Sequence, residues 1–192
     1  MDHNDQVRRE LTITAAQANM YALVFVIPIF LLFGVPFYLL YLRDLTLDAL
    51  IDFLDNNRHL LKFSALWVLL VLIAGIVLHE LIHGLAFLFF CNNGIKSLQF
   101  GIMWKFLTPY CHCKEALKVR HYILGALMPA IIMGFIPAGL GVITGKIILL
   151  LFGLFFSFAA GGDFSIVWLL RKVPGHSLVL DHESKVGCYV LD

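Results

Sequence analysis

Residues 63–90 read FSALWVLLVLIAGIVLHELIHGLAFLFF. A hydrocarbon layer about 30 Å thick is crossed by about 20 helical residues rising 1.5 Å each, so this run is long enough to span it. Its only ionisable residues are His79, Glu80 and His83, clustered toward the C-terminal end. One stretch therefore carries both the signature of a membrane helix and a group that is costly to place in one.

Three other runs have the same character: Met20 to Leu42, Tyr122 to Ile143 and Ile147 to Leu170. Across the chain 60% of the 192 residues are hydrophobic and 14% are charged, and the mean hydropathy is +0.88. A soluble domain of this length needs more polar surface than that. The expected fold is an all-α integral membrane protein of about four transmembrane helices, forming one domain over residues 1–192. Pro28, Gly34 and Pro36 predict a kink in the first span, which a membrane helix tolerates where neighbours re-pair the freed carbonyls. The alternation of Leu98, Phe100 and Ile102 within Ile95–Phe106, bounded by Gly94 and Thr108–Pro109, predicts a small β-hairpin. There is no internal repeat. The net charge of +1 and the scattered Lys and Arg residues exclude a nucleic-acid footprint.

Charge orients the spans. Arg8 and Arg9 precede the first; Lys96, Lys105, Lys114, Lys118 and Arg120 crowd the loop after the second; Arg171 and Lys172 follow the fourth. The connection Arg43–Lys62 is mostly acidic. The positive-inside rule puts both termini and the hairpin loop in the cytoplasm, and the Thr144–Lys146 turn outside. The run after the polar segment Met1–Asn19 is too long for a signal-peptide core and is expected to remain as the first span. Cys91, Cys111, Cys113 and Cys188 all fall on or near the cytoplasmic side, where free thiols are expected.

His79-Glu80-Leu81-Ile82-His83 is an HExxH motif. Two histidines four apart share one helical face and can present imidazole nitrogens to a single zinc ion, while the adjacent carboxylate can take a proton from an attacking water. At the His and Glu frequencies of this chain, a chance match is about a one per cent event. A catalytic zinc takes a third protein ligand and leaves a position open. His83 and His79 lie about 10 and 16 Å in from Phe90, and Asp163 lies about 12 Å in from Arg171 at the corresponding end of the fourth span. Asp163 is the only acid in that apolar run and follows Gly161 and Gly162, which allow close helix approach. It is the candidate third ligand; the alternative is an N-cap for a helix from Phe164 onward.

The segments Leu78–Gly84, Pro109-Tyr110-Cys111-His112-Cys113, Gly161-Gly162-Asp163, Leu180-Asp181-His182 and Gly187-Cys188-Tyr189 together resemble the Putative zincin peptidase family of small bacterial membrane proteins, which is similar to the site-2 proteases. The resemblance implies a bacterial cytoplasmic membrane location, zinc held by His79, His83 and Asp163, and Glu80 as catalytic base. Site-2 proteases usually carry Asn-Pro or Leu before the aspartate and Gly after it, whereas this chain reads Gly-Gly-Asp-Phe.

Cys111-His112-Cys113 looks metal-like, but alternate strand residues face opposite ways and a structural zinc closes with four ligands. His112 is instead expected to line the active-site entrance, and His121 to sit at the membrane interface. The group His176, Asp181, His182 and Glu183 reads as solvated tail, with Gly187–Leu191 as a strand pairing with the hairpin near Leu98. The function expected is zinc-dependent endopeptidase action on peptide or membrane-protein substrates, with membrane lipid as the surrounding partner. Two alternatives remain open: a membrane zinc hydrolase acting on a non-peptide amide or ester, and a non-catalytic scaffold with a structural zinc. Oligomeric state is not legible.

Overall fold

The computed structural model describes residues 7–56, 58–104, 108–183 and 185–191. Strand β1 (Val7–Ile13) leads into α1 (Ala16–Leu42). Thr14 starts that helix: its hydroxyl accepts from the Gln17 N–H at 3.2 Å, and the Gln17 side chain accepts from the Thr14 N–H at 2.9 Å, a capping box that satisfies two otherwise unpaired donors. The short α2 (Leu47–Asn56) precedes the long α3 (Arg58–Leu88). A hairpin of β2 (Leu98–Met103) and β3 (Thr108–Cys113) follows, then the two-residue β4 (Leu117–Lys118). The chain continues through α4 (Val119–Thr144), α5 (Ile147–Ala159) and α6 (Gly161–Leu170), and closes with β5 (Leu178–Asp181) and β6 (Val186–Leu191).

Among the described residues, three helices are long and apolar enough to cross a membrane: α1, the Ala65–Leu88 part of α3, and α4; α5 and α6, bent by 48° at their junction, make a fourth if taken as one broken span. The prolines do not end these helices. Widened π-turns at Phe30–Gly34, Tyr38–Leu42 and Ala130–Phe135 follow Pro28, Pro36 and Pro129, so the missing N–H groups are absorbed by local unwinding. Gly145, at φ 69°, stops α4, and the Tyr41 hydroxyl donates to the Val142 carbonyl at 3.1 Å, tying that turn to α1.

Along its apolar part, α3 buries one narrow stripe, comprising Gly75, His79, Ile82, His83, Gly84, Ala86 and Phe87, while Leu66, Trp67, Leu70, Ile73, Val77, Leu81 and Leu85 are exposed. The buried spacing of three and four residues is one face of a helix, and it faces α4, α5 and the hairpin. The main core gathers at the C-terminal end of α3: Phe87, Cys113, Leu117, Val119, Tyr122, Leu170, Val179 and Cys188 pack together. This cluster joins the helices to the sheets.

The strands form a four-stranded antiparallel sheet ordered β1-β6-β5-β4 and the separate hairpin β2-β3. An all-α chain with a hairpin alone is therefore corrected to a helical protein with, among the described residues, two small sheets. Residues 7–13 form a strand because Leu11 and Ile13 alternate with Glu10 and Thr12, a half-buried pattern. The tail strand pairs with β1 and β5, not with the hairpin. Thr108–Pro109 opens β3 rather than breaking the chain, with Pro109 opposite Ile102; a strand with a single partner can lose one N–H on its other edge. The hairpin's turn, 105–107, lies outside the described residues. Gly187 has φ 143°, and a Cβ there would meet the Leu11 carbonyl, so only glycine lets β6 lie against β1 at this point.

The loop after α3 is fastened to β3 by one carboxylate. Glu115 accepts from the Asn92 N–H at 2.8 Å, from the Asn93 N–H at 2.9 Å and from the Ser97 hydroxyl. These donors hold its carboxyl at about 2, well below the ordinary carboxylate value. A depressed folded-state pKa contributes stability that is complete above the unfolded value and is lost as pH falls toward 2. The melting-temperature gap between wild type and Glu115→Gln in detergent is therefore expected to be constant above pH about 5 and to close between pH 4.5 and 2.

Candidate metal centre

The histidines stand on the buried stripe of α3, one turn apart, with ring centroids 5.0 Å from each other. Asp163 reaches them from α6, 84 residues beyond His79. The bend between α5 and α6 puts Asp163 in the first turn of α6, where a negative charge is favoured by the helix dipole. The helix begins at Gly161 with Ala160 before it, so Asp163 does not serve as the cap of a helix starting at Phe164. Close approach comes from Gly161 alone, where a Cβ would collide with Ala22 of α1; the corresponding position on Gly162 is open, and Gly162 lines the cavity instead.

Asp163 Oδ2 lies 3.2 Å from His79 Nε2, and Oδ1 lies 3.3 Å from His83 Nε2. One ligand atom from each of the three residues can be chosen so that all lie within 4.8 Å of one another. Metal bonds of about 2.1 Å at tetrahedral angles give ligand separations of about 3.4 Å, close to the observed spacing. The donor chemistry fits as well. His83 Nδ1 stands 3.1 Å from the Gly125 carbonyl, a position that requires N–H there and leaves the lone pair of the neutral ring on Nε2, aimed at a carboxylate oxygen. Two electron-rich atoms at this separation call for a positive charge between them. His79 and His83 are 7% and 6% exposed, and either a divalent cation or a proton on the ring supplies that charge.

These residues open onto a cavity of about 190 Å³, also lined by Glu80, His112, Tyr122, Asp181 and Lys185. Glu80 is half-buried and its carboxylate is bonded to the Cys111 backbone of β3. His112 stands on the cavity wall, its ring tilted against Tyr110 with centroids 4.3 Å apart, while His121 lies half-buried against Phe90. No second metal group includes Cys111, His112 or Cys113 among the described residues.

The solvated-tail expectation is corrected at two of its four residues. His176 and Glu183 are exposed, but His182 is 6% exposed, and Asp181 is half-buried in the cavity wall. Asp181 accepts from the Tyr122 hydroxyl and, at 2.7 Å, from the Cys113 N–H. It thus joins α4, β3 and the tail sheet, and burial pushes its carboxyl above the ordinary range. The sequence holds one sign of this, an acid between the strand residues Val179-Leu180 and a buried histidine. What it could not show is that β5 folds back onto the start of α4.

The family described as Putative zincin peptidase matches residues 72–178 of this chain. The matched segment contains His79, Glu80, His83, His112 and Asp163 and stops before Asp181. No curated protein and no solved structure matches.

If the three side chains form one metal centre, elemental analysis of purified protein should find near-stoichiometric zinc in wild type and in Glu80→Gln, and a loss of at least tenfold in affinity in His79→Ala and Asp163→Ala. Retention of full affinity by Asp163→Ala would remove that residue from the ligand set.

Proposed function

The chain belongs to the Putative zincin peptidase family, and on that premise we propose that it is a membrane-embedded, zinc-dependent endopeptidase that hydrolyses peptide bonds of membrane-associated substrates. The observation that carries this reading is the convergence of Asp163 on His79 and His83 beside Glu80 in one cavity. His79, His83 and Asp163 would hold the zinc, which supplies Lewis acidity toward a carbonyl oxygen and makes a water acidic near neutral pH.

This chain's own side chains set up the rest. Glu80 takes a proton from water as its oxygen bonds to the scissile carbonyl carbon, then delivers that proton to the amide nitrogen as the C–N bond breaks. The products are a carboxylic acid and an amine, the acid's proton passing to the amine to leave a carboxylate and an ammonium, and Glu80 is regenerated. Its contact with the Cys111 backbone keeps the carboxylate at the cavity wall, and the Gly125 carbonyl fixes the His83 ring. Both contacts spare reorganisation during the reaction.

The exposed apolar faces of α1, α3 and α4 support insertion in a bilayer, where such side chains meet lipid at no cost. The basic loop after α3 favours a cytoplasmic hairpin and cytoplasmic termini. The site then lies in the cytoplasmic half of the membrane, in the bacterial cytoplasmic membrane by the family resemblance, and substrate reaches it from the bilayer or its surface.

The test is to reconstitute wild type and Glu80→Gln with a bacterial membrane extract and sequence newly formed peptide N-termini. New termini with wild type, lowered about 10²- to 10⁴-fold in Glu80→Gln while zinc is retained, are expected. Release of amines or acids from lipid-linked amides or esters, without new peptide termini, would overturn the peptidase assignment in favour of a different zinc hydrolase.

A further inference from the structure

Of the four cysteines, all of them free thiols, two stand together. Cys91, just past the end of α3, has its Sγ 3.2 Å from that of Cys113, the last residue of β3. They are 22 residues apart in sequence and belong to different elements. Each is held by contacts that the other does not make. The Cys91 N–H bonds to the Phe87 carbonyl at 3.1 Å, and the Cys113 N–H bonds to Asp181 at 2.7 Å. Cys91 is half-buried, whereas Cys113 is 1% exposed. Cys91 is thus the more accessible of the two.

We propose that Cys91 and Cys113 form a reversible redox site that closes to a disulfide on exchange with a small-molecule disulfide such as oxidised glutathione. In the first step the Cys91 thiolate attacks one sulfur of the reagent; a Cys91–S–S–R bond forms and RS⁻ leaves. In the second, the Cys113 sulfur attacks Cys91, and its proton departs with the second RS group as RSH. The two protein thiols are oxidised by two electrons, and the reagent is reduced to two thiols. A disulfide needs a sulfur separation of about 2.05 Å, so closure asks for a shift of about 1 Å.

Burial disfavours the competing thiols. It pushes Cys111 and Cys188 up to about 12, which leaves almost no thiolate for attack at neutral pH. Cys113 is shifted upward too, chiefly by burial, which suits it to resolving a mixed disulfide at contact distance rather than to meeting reagent itself. None of the sulfurs belongs to the His79–His83–Asp163 group, so the site stands apart from the zinc chemistry. It bears on the same cavity, however. Cys113 lies two residues past Cys111, whose backbone meets Glu80, and the new bond would tie the end of α3 to that strand.

The test treats the purified full-length protein in detergent with oxidised glutathione, followed by alkylation after unfolding and peptide mapping with and without dithiothreitol. The expected result is a fall from four alkylatable thiols to two, with one linked peptide joining Cys91 to Cys113 and full reversal by dithiothreitol. Cys113→Ser is expected to trap glutathione on Cys91, and Cys91→Ser to take up none. Four thiols still free after treatment, a stable glutathione adduct on wild-type Cys91, or a link from Cys91 to Cys111 or Cys188 would overturn the proposal. The wild-type map decides the matter even where a variant does not fold.

Discussion

Two imidazoles and a carboxylate facing one another inside an apolar helix bundle form the constraint around which this molecule is arranged. Left unpaired, any one of them would be costly in so buried a position. Together they form a concave set of lone pairs that a divalent cation satisfies. His79 and His83 are brought together by one helical turn, and that costs the fold nothing extra. Asp163 is the expensive member, because it comes from the far end of the chain and must arrive at the same depth.

Much of the packing serves that arrival. The 48° break between α5 and α6 turns a helix start toward α3, and the contact of Gly161 with Ala22 seats α6 against α1 closely enough for a short side chain to reach. The α4 helix supplies the Gly125 carbonyl for His83 and the Tyr122 hydroxyl for Asp181. The hairpin is held to the end of α3 through Glu115 and presents Cys111 to Glu80. The two sheets, small as they are, form the cavity wall that the helices leave open, and the tail strand β6 closes it beside Gly187.

The local parts of this design were legible in the sequence. Apolar runs of sufficient length gave the first three long helices to within about five residues of their ends, while the fourth run divides at Ala160 into α5 and α6. The HExxH spacing is local and needs only helical geometry. Asp163 could be set level with the histidines by counting residues from the charged positions that end the two apolar runs, because the rise per residue is the same in every α-helix. The sheets were harder. β1 hides behind Arg8, Arg9 and Glu10, and its pairing with β6 joins the two ends of the chain, a contact that no local pattern encodes. Asp181 looks solvated in the sequence for the same reason, because only the folded chain brings β5 against α4. The partnership of Cys91 with Cys113 likewise follows from tertiary placement alone.

The central claim is that one zinc ion is held by nitrogen and oxygen from His79, His83 and Asp163, with no sulfur, although thiols stand close by. X-ray absorption at the zinc edge of the purified, reduced protein addresses this directly. The account predicts a first shell of nitrogen and oxygen atoms alone, at about 2.0–2.1 Å. A zinc–sulfur distance of about 2.3 Å would place the metal on the cysteines instead and contradict it.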